Sequence, residues 1–167
     1  MFDDNFNSIR IDSLQLNHNE EQIAFAGVIR DSTYKDLKVR FKDVNIGNIV
    51  PPVDSLKLSG KTNGTLSLKQ ESGAYYPNSN VTIDNVVINE VAFGDLTLAV
   101  DGNEDLTKYT INSTLINNNF KSINAVGTID VAPKEPQIDV DVRLNDFNLQ
   151  AFSPFGADVI TLSLIHI

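Results

Sequence analysis

The stretch IDVDVRLN, residues 138–145, is the part of the sequence that decides its fold class. Hydrophobic and polar residues alternate strictly along it, with Ile138, Val140, Val142 and Leu144 in one set and Asp139, Asp141, Arg143 and Asn145 in the other. Successive side chains of a β-strand point to opposite faces, so a period of two is typical of a strand with one buried face. The stretch is therefore predicted to form a strand with an aliphatic side and a polar side.

The same alternation extends through most of the chain. It marks nine further segments: Ile9, Ile11; Ile23, Phe25, Gly27, Ile29; Leu37, Val39, Phe41; Leu56, Leu58; Leu66, Leu68; Val81, Ile83; Leu96, Leu98, Val100; Tyr109, Ile111; and Ile123, Ala125, Gly127, Ile129, Val131. Turn-forming residues separate the segments, among them Asn63 with Gly64 and Pro77 with Asn78. The pattern predicts an all-β fold: nine or ten strands in a meander that forms an elongated, curved antiparallel sheet.

Three similar phrases of the sequence each carry a glycine at their fifth position. IAFAGVI begins at Ile23, LKLSGKT at Leu56 and INAVGTI at Ile123. Glycine inside a strand marks a bulge, a bend or a close approach of two backbones. The repetition predicts a sheet that bends in the same way at each phrase.

A second phrase is repeated without a gap, because VRFKDVNIGNIVP at 39–51 returns 103 positions later as VRLNDFNLQAFSP at 142–154. In the first copy Ile46 and Ile49 are three residues apart, which is helical spacing, and Pro51 stops any continuation. We expect helical turns at 46–50 and 149–153 that fold apolar side chains over the end of the sheet, with Pro51 and Pro154 just outside them. The ranges 23–51 and 123–154 are predicted to be two copies of one unit.

Composition excludes several classes of function. A net charge of −9, with no cluster of Lys or Arg, makes nucleic acid an unsuitable partner. The chain has no Cys and only two His residues, His18 and His166, so the sequence offers no thiolate chemistry, no His-based triad and no multi-His metal site. The loop DGNED at 101–105 is interpreted as a hairpin turn, because Leu106 stands where a calcium loop requires glycine and Asn112 stands where it requires glutamate. We therefore predict a protein that is not an enzyme and has no catalytic, cofactor or metal residues.

The order of these phrases resembles a known family. The stretch IAFAGVIRDSTYKDLKVRFKDVNIGNIVPPVDSLKLSGKTNG, followed by YYPNSNVTIDNVVINEVAFGDLTLAV and INAVGTIDVAPKEPQIDVDVRLNDFNLQAFSP, is similar to the TamB family of the AsmA-like superfamily. The resemblance implies that residues 1–161 are an internal segment of a long periplasmic β-taco with an inner-membrane anchor elsewhere in the protein. Residues 162–167, LSLIHI, resemble a translated sequencing adapter, the alternative being a short apolar terminal strand.

The resemblance also implies a function, namely transport of phospholipids to the outer membrane, assembly of outer-membrane proteins, or both. The implied partners are phospholipid acyl chains and a TamA-like outer-membrane barrel that would be contacted through other regions of the protein. The hydrophobic phase of the strands predicts the residues of an apolar groove: Phe25, Phe41, Ile83, Leu98, Ile111, Ile129, Val140 and Val142. The alternative is a non-catalytic surface module for ligand binding or adhesion, although the chain has no Trp to stack on sugar rings.

Overall fold

A computed structural model describes residues 8–50, 56–117 and 120–145. The strands are β1 (Ser8–His18), β2 (Glu21–Arg30), β3 (Tyr34–Asn45), β4 (Leu58–Glu71), β5 (Ala74–Ile88), β6 (Val91–Gly102), β7 (Lys108–Asn117), β8 (Phe120–Asp130) and β9 (Gln137–Leu144), with a helical turn α1 (Ile46–Ile49) after β3. All nine strands form one sheet in the order of the sequence, and each pairs antiparallel with the next. The all-β prediction of a curved antiparallel meander is confirmed.

Two predicted turns are wrong. Asn63 and Gly64 lie inside β4, so the segments at Leu58 and Leu66 belong to one strand rather than two. Pro77 and Asn78 lie inside β5, where Pro77 pairs with Leu68 of β4 and comes one residue before the first pair that β5 makes with β6.

The turns that flank β5 are elsewhere. Ser72–Gly73 joins β4 to β5, and Asn89–Glu90 joins β5 to β6. All four residues have positive φ, between 49° and 91°, which is the geometry of a two-residue type I′ hairpin turn. These tight turns allow both hairpins to continue far beyond the points where the sequence suggested breaks.

The sheet separates its residues into two faces, because residues that are paired across an antiparallel ladder lie on the same side. We call the side that carries Phe25 and its aligned partners the apolar face. Two rows of aligned residues cross all nine strands on it: Leu14, Phe25, Val39, Leu66, Ser79, Val100, Ile111, Gly127 and Val140 in the first, and Leu16, Ile23, Phe41, Gly64, Val81, Leu98, Ser113, Ala125 and Val142 in the second. The opposite side, which we call the polar face, carries Lys38, Asp101, Asp139 and Arg143.

The best-packed part of the sheet lies at one end of the apolar face. Val81, Ile83, Val86, Phe93 and Leu115 form a buried cluster, and Ile46 of α1 packs against it. Burial of a side chain of this size contributes about 1.5–3 kcal/mol. This end, which we call the α1 end, therefore holds the structural core.

Bulges are concentrated at the α1 end. An extra residue lies in β3 between Phe41 and Val44, and another lies in β5 between Ile83 and Val86, opposite Ser59 and Lys61 of β4. A bulge bends its strand and increases the local twist. The bulges in β3 and β5 therefore curve the sheet at the end where the core is packed.

The helical turn α1 is held by polar contacts. The side chain of Asn45 accepts a hydrogen bond from the backbone N–H of Gly47, and the Glu21 carboxylate accepts from the backbone N–H of Asn45 at 2.9 Å and from the Asn48 amide at 3.2 Å. The prediction that the apolar side chains of this turn fold over the end of the sheet is half wrong. Ile46 packs on the core, whereas Ile49 is 39% exposed. Pro51, Pro154 and the helical turn predicted at 149–153 lie outside the described residues.

The repeated glycines occupy two kinds of place. Gly60 lies opposite the bulge in β5 and Gly27 lies beside a bulge in β1, whereas Gly127 lies in unbroken ladders, so the three do not share one geometry. A Cβ on Gly127 would come within 2.1 Å of the Asp139 carbonyl oxygen, and one on Gly27 within 2.8 Å of that of Asp36. At these two positions glycine allows a close approach of neighbouring backbones.

The hairpins β2–β3 and β8–β9 have the same register. Ile23, Gly27 and Ile29 pair with Phe41, Leu37 and Lys35, while Ile123, Gly127 and Ile129 pair with Leu144, Val140 and Ile138. Each residue of β3 in this set therefore has its equivalent 103 positions later in β9. One equivalence changes chemistry, since Lys35 corresponds to Ile138.

Candidate apolar binding face

The ladder places all eight residues predicted for the groove on the apolar face. Phe25, Ile111 and Val140 lie in the first row, and Phe41, Leu98 and Val142 lie in the second. Ile83 lies in a third row at the α1 end, where its partners are Thr62 and Leu96. Ile129 lies nearer the other end of the face, aligned with Tyr109 and Ile138.

Sharing a face does not give these residues the same accessibility. Ile83 is 5% exposed and belongs to the buried cluster, so it supports the sheet rather than lining open surface. Val142 is 52% exposed, and the remaining six are partly exposed. Seven residues of the eight are therefore accessible to some degree on one side of the sheet.

Exposure of the apolar face increases toward the two outer strands. The exposed large hydrophobic residues on this face are Ile11, Leu14 and Leu16 of β1, Leu66 of β4, and Ile138, Val142 and Leu144 of β9. Within the described residues α1 is the one element outside the sheet, and most of its contacts are with β3 and β4. The sheet is thus a single layer whose apolar side is largely open in the part of the chain that the structure describes.

A polar cluster interrupts the apolar face at the end opposite α1. Ile29, Lys35, Gln70 and Tyr75 are successive partners across β2 to β5. The Lys35 ammonium donates to the Gln70 side-chain oxygen and lies 5.6 Å from the centre of the Tyr75 ring, while the Gln70 amide donates to the Gly73 carbonyl at 3.4 Å. We call Lys35, Gln70 and Tyr75 the polar rim.

Sequence reasoning missed the polar rim, although one signal was present. Lys35 is two residues before Leu37 and so occupies the hydrophobic phase of β3, where alternation calls for an apolar residue. Gln70 occupies the same phase of β4, and it is buried. A charged residue in the phase of the apolar residues would have pointed to this place.

The polar face is covered by solvated charges. Asp141 and Arg143 form an exposed ion pair at 3.5 Å, and Lys69 and Glu71 form another at 2.7 Å. Exposed pairs of this kind contribute little to stability, because solvent screens them. The Glu71 carboxylate, through its hydrogen bond and then its charge, raises the pKa of Lys69. These residues mark the side of the sheet that faces water.

The turn between β2 and β3 contains a self-contained hydrogen-bonded loop. The Asp31 carboxylate accepts from both the side-chain hydroxyl and the backbone N–H of Thr33, each at 2.7 Å. The hydroxyl first and then the N–H lower the pKa of Asp31, because both stabilise the ionised carboxylate. The turn immediately precedes β3, the strand that carries Lys35.

Other polar residues form a shallow recess beside α1. His18, Glu21, Asp43, Lys61 and Asp84 are among the residues that line it. Within 8–50, 56–117 and 120–145, no group of three or more His, Asp or Glu side chains is placed to hold a metal ion. His18 is exposed at the end of β1.

Comparisons of the chain with protein-family models, with curated proteins and with solved structures give no match. Across the described ranges, no helix has the length and apolar character that crossing a membrane requires.

Proposed function

We propose that the chain is a conduit segment of a TamB-like envelope protein, in which the apolar face carries phospholipid acyl chains. The observation that carries the proposal is the pair of rows that cross all nine strands of the sheet. At about 4.8 Å between neighbouring strands, each row is about 38 Å long. Large open apolar surfaces on proteins are typical of sites that bind other molecules.

The composition of the rows suits a ligand that moves. Every position is hydrophobic except Ser79 and Gly127 in the first row and Gly64 and Ser113 in the second, and no position is charged. An acyl chain gains roughly 0.8 kcal/mol for each methylene group removed from water, without directional contacts. Because no single position holds the chain more strongly than its neighbours, the ligand can slide along the face.

The finer parts of the proposal follow from the resemblance. The segment would lie in the periplasm as part of a protein anchored in the inner membrane. The protein would transport phospholipid to the outer membrane or assist assembly of outer-membrane proteins, with a TamA-like barrel as partner. The open apolar face supports the lipid branch more directly, because an acyl chain requires the uncharged rows and a folding outer-membrane strand also needs backbone partners at a sheet edge.

The test places a photo-crosslinking amino acid at Val140 and, separately, at Asp139. These neighbours lie on opposite faces of β9, so they differ in the face they sample while sharing the same strand. After incubation of the full chain with phospholipid vesicles and irradiation, mass spectrometry should find lipid attached at Val140 and little at Asp139. Equal attachment at both positions, or none at Val140, would contradict the conduit and leave a structural spacer.

A further inference from the structure

The polar rim is the one place where a positive charge lies on the apolar face. The chain has 13 Lys and Arg residues, all within the described ranges, and Lys35 alone has a ladder position on that face. The charge is not required by the fold, since the equivalent position of the β8–β9 hairpin holds Ile138. Lys35 therefore calls for a reason other than the packing of the sheet.

The Lys35 ammonium retains capacity to bind a ligand. An ammonium has three donors. One is directed to Gln70 and a second lies 3.5 Å from the Ser32 carbonyl oxygen, while the third makes no hydrogen bond in the described part of the chain, where the ammonium also lies 5.6 Å from the centre of the Tyr75 ring. In the described part of the chain no carboxylate lies within 4.0 Å of Lys35, and the nearby Asp31 is engaged by Thr33.

An apolar track leads away from this charge. Leu37 and Val39 follow Lys35 on the same face, beside Leu68 and Leu66 of β4, and Phe41 comes next. At about 3.4 Å per residue, Lys35 and Phe41 are separated by about 20 Å. Half of a bilayer's hydrocarbon core is about 15 Å, so an extended acyl chain fits between the ammonium and the α1 end.

We infer that the polar rim is a headgroup site, in which Lys35 binds the phosphate of an anionic lipid whose tail lies on Leu37, Val39 and Phe41. Gln70 holds the ammonium in place, and the face of the Tyr75 ring lies beside it. The inference rests on the proposed function, because it adds a headgroup contact to the same apolar face. It gives the conduit a preferred resting position at one edge and a preference for anionic lipids.

The test measures binding to the full chain by equilibrium dialysis with three probes: dodecyl phosphate, dodecyl maltoside and inorganic phosphate. The two amphiphiles share one tail and are used below the concentrations at which they form micelles. Lys35→Met removes the charge and keeps an unbranched stem, Lys35→Arg keeps the charge, and Lys38→Met removes an exposed charge from the polar face of the same strand. Circular dichroism establishes that each variant retains the sheet.

The expected result is a selective loss. Lys35→Met should weaken dodecyl phosphate binding about tenfold, the lower range for a charge-assisted hydrogen bond, because the rim is partly open to water. Dodecyl maltoside binding should remain within about twofold of its original value, since its tail contacts are unchanged. Lys35→Arg should restore dodecyl phosphate binding, Lys38→Met should leave both amphiphiles unaffected, and inorganic phosphate should not compete.

Contrary results separate the inference from the proposed function. If both amphiphiles bind the original chain and Lys35→Met binds dodecyl phosphate equally well, the headgroup site is refuted and the conduit remains. If neither amphiphile binds the original chain, the conduit fails and the headgroup site fails with it. Competition by inorganic phosphate at the affinity of dodecyl phosphate would assign Lys35 to a free anion, and loss of both amphiphiles in Lys35→Met would make the residue structural.

Discussion

Two leucines on the apolar face should differ strongly in their contribution to stability. Leu115 is 3% exposed and packs in the buried cluster, whereas Leu66 lies on the same face and is 39% exposed. Replacement by Ala removes three carbons, worth about 2.4 kcal/mol if fully buried, and a cavity at Leu115 raises the cost to about 3–4 kcal/mol. Leu66→Ala should cost about 1.5 kcal/mol, because the open face lets water fill the space.

Urea unfolding of the two variants, followed by circular dichroism, measures these costs. The dependence of the unfolding free energy on urea concentration should be unchanged, so the shift in midpoint reports stability alone. At about 2–4 °C per kcal/mol for a domain of this size, Leu115→Ala should lower the melting temperature by roughly 10 °C and Leu66→Ala by roughly 4 °C. Costs within about 0.5 kcal/mol of each other would refute the division of this face into a packed end and an open surface.

Three further changes test other parts of the structure. Val140→Asp should reduce lipid crosslinking from a probe at a neighbouring apolar position by about tenfold, because an unpaired charge is costly in an apolar groove, whereas Asp139→Lys on the polar face should not. Gly127→Ala should destabilise the sheet by about 1–3 kcal/mol and speed hydrogen exchange in β9, because the new Cβ would overlap the Asp139 carbonyl oxygen; unchanged exchange would contradict the close approach. Thr33→Val should raise the pKa of Asp31 toward its ordinary value in an NMR titration, because it removes the hydroxyl that lowers it. The contribution of Asp31 to stability is present above its unfolded pKa of about 3.9 and is lost as pH falls through its lower folded pKa, so the variant should lose the part that the hydroxyl supplies and keep the part that the backbone N–H of Thr33 supplies.

Local turn signals gave a wrong prediction where the pairing of a long strand with its neighbours continues through them. Asn63 with Gly64 is a strong turn signal when considered alone, yet β4 continues through both residues. Gly64 adopts a φ of +134° inside the strand and lies so close to β5 that a Cβ would come within 2.2 Å of the Asn80 carbonyl oxygen. The turn predicted at Gly64 is therefore wrong, and the role of this glycine is a close backbone approach within a strand. Whether such a glycine forms a turn or allows a close backbone approach depends on the neighbouring strand, and a local sequence pattern carries no information about that strand.

The sequence by itself determined which side of each strand is apolar, because the direction of a side chain alternates with every residue whatever the strand pairs with. It also identified the helical turn at α1 from the spacing of Ile46 and Ile49. The tertiary structure decided how deeply each apolar residue is buried: Ile83 is 5% exposed and Ile138 is 69% exposed, although both occupy the hydrophobic phase. Burial depends on distance from the sheet edge, on the row of bulges and on α1. The tertiary structure likewise assembled the polar rim, because only the register of β3, β4 and β5 brings Lys35, Gln70 and Tyr75 side by side.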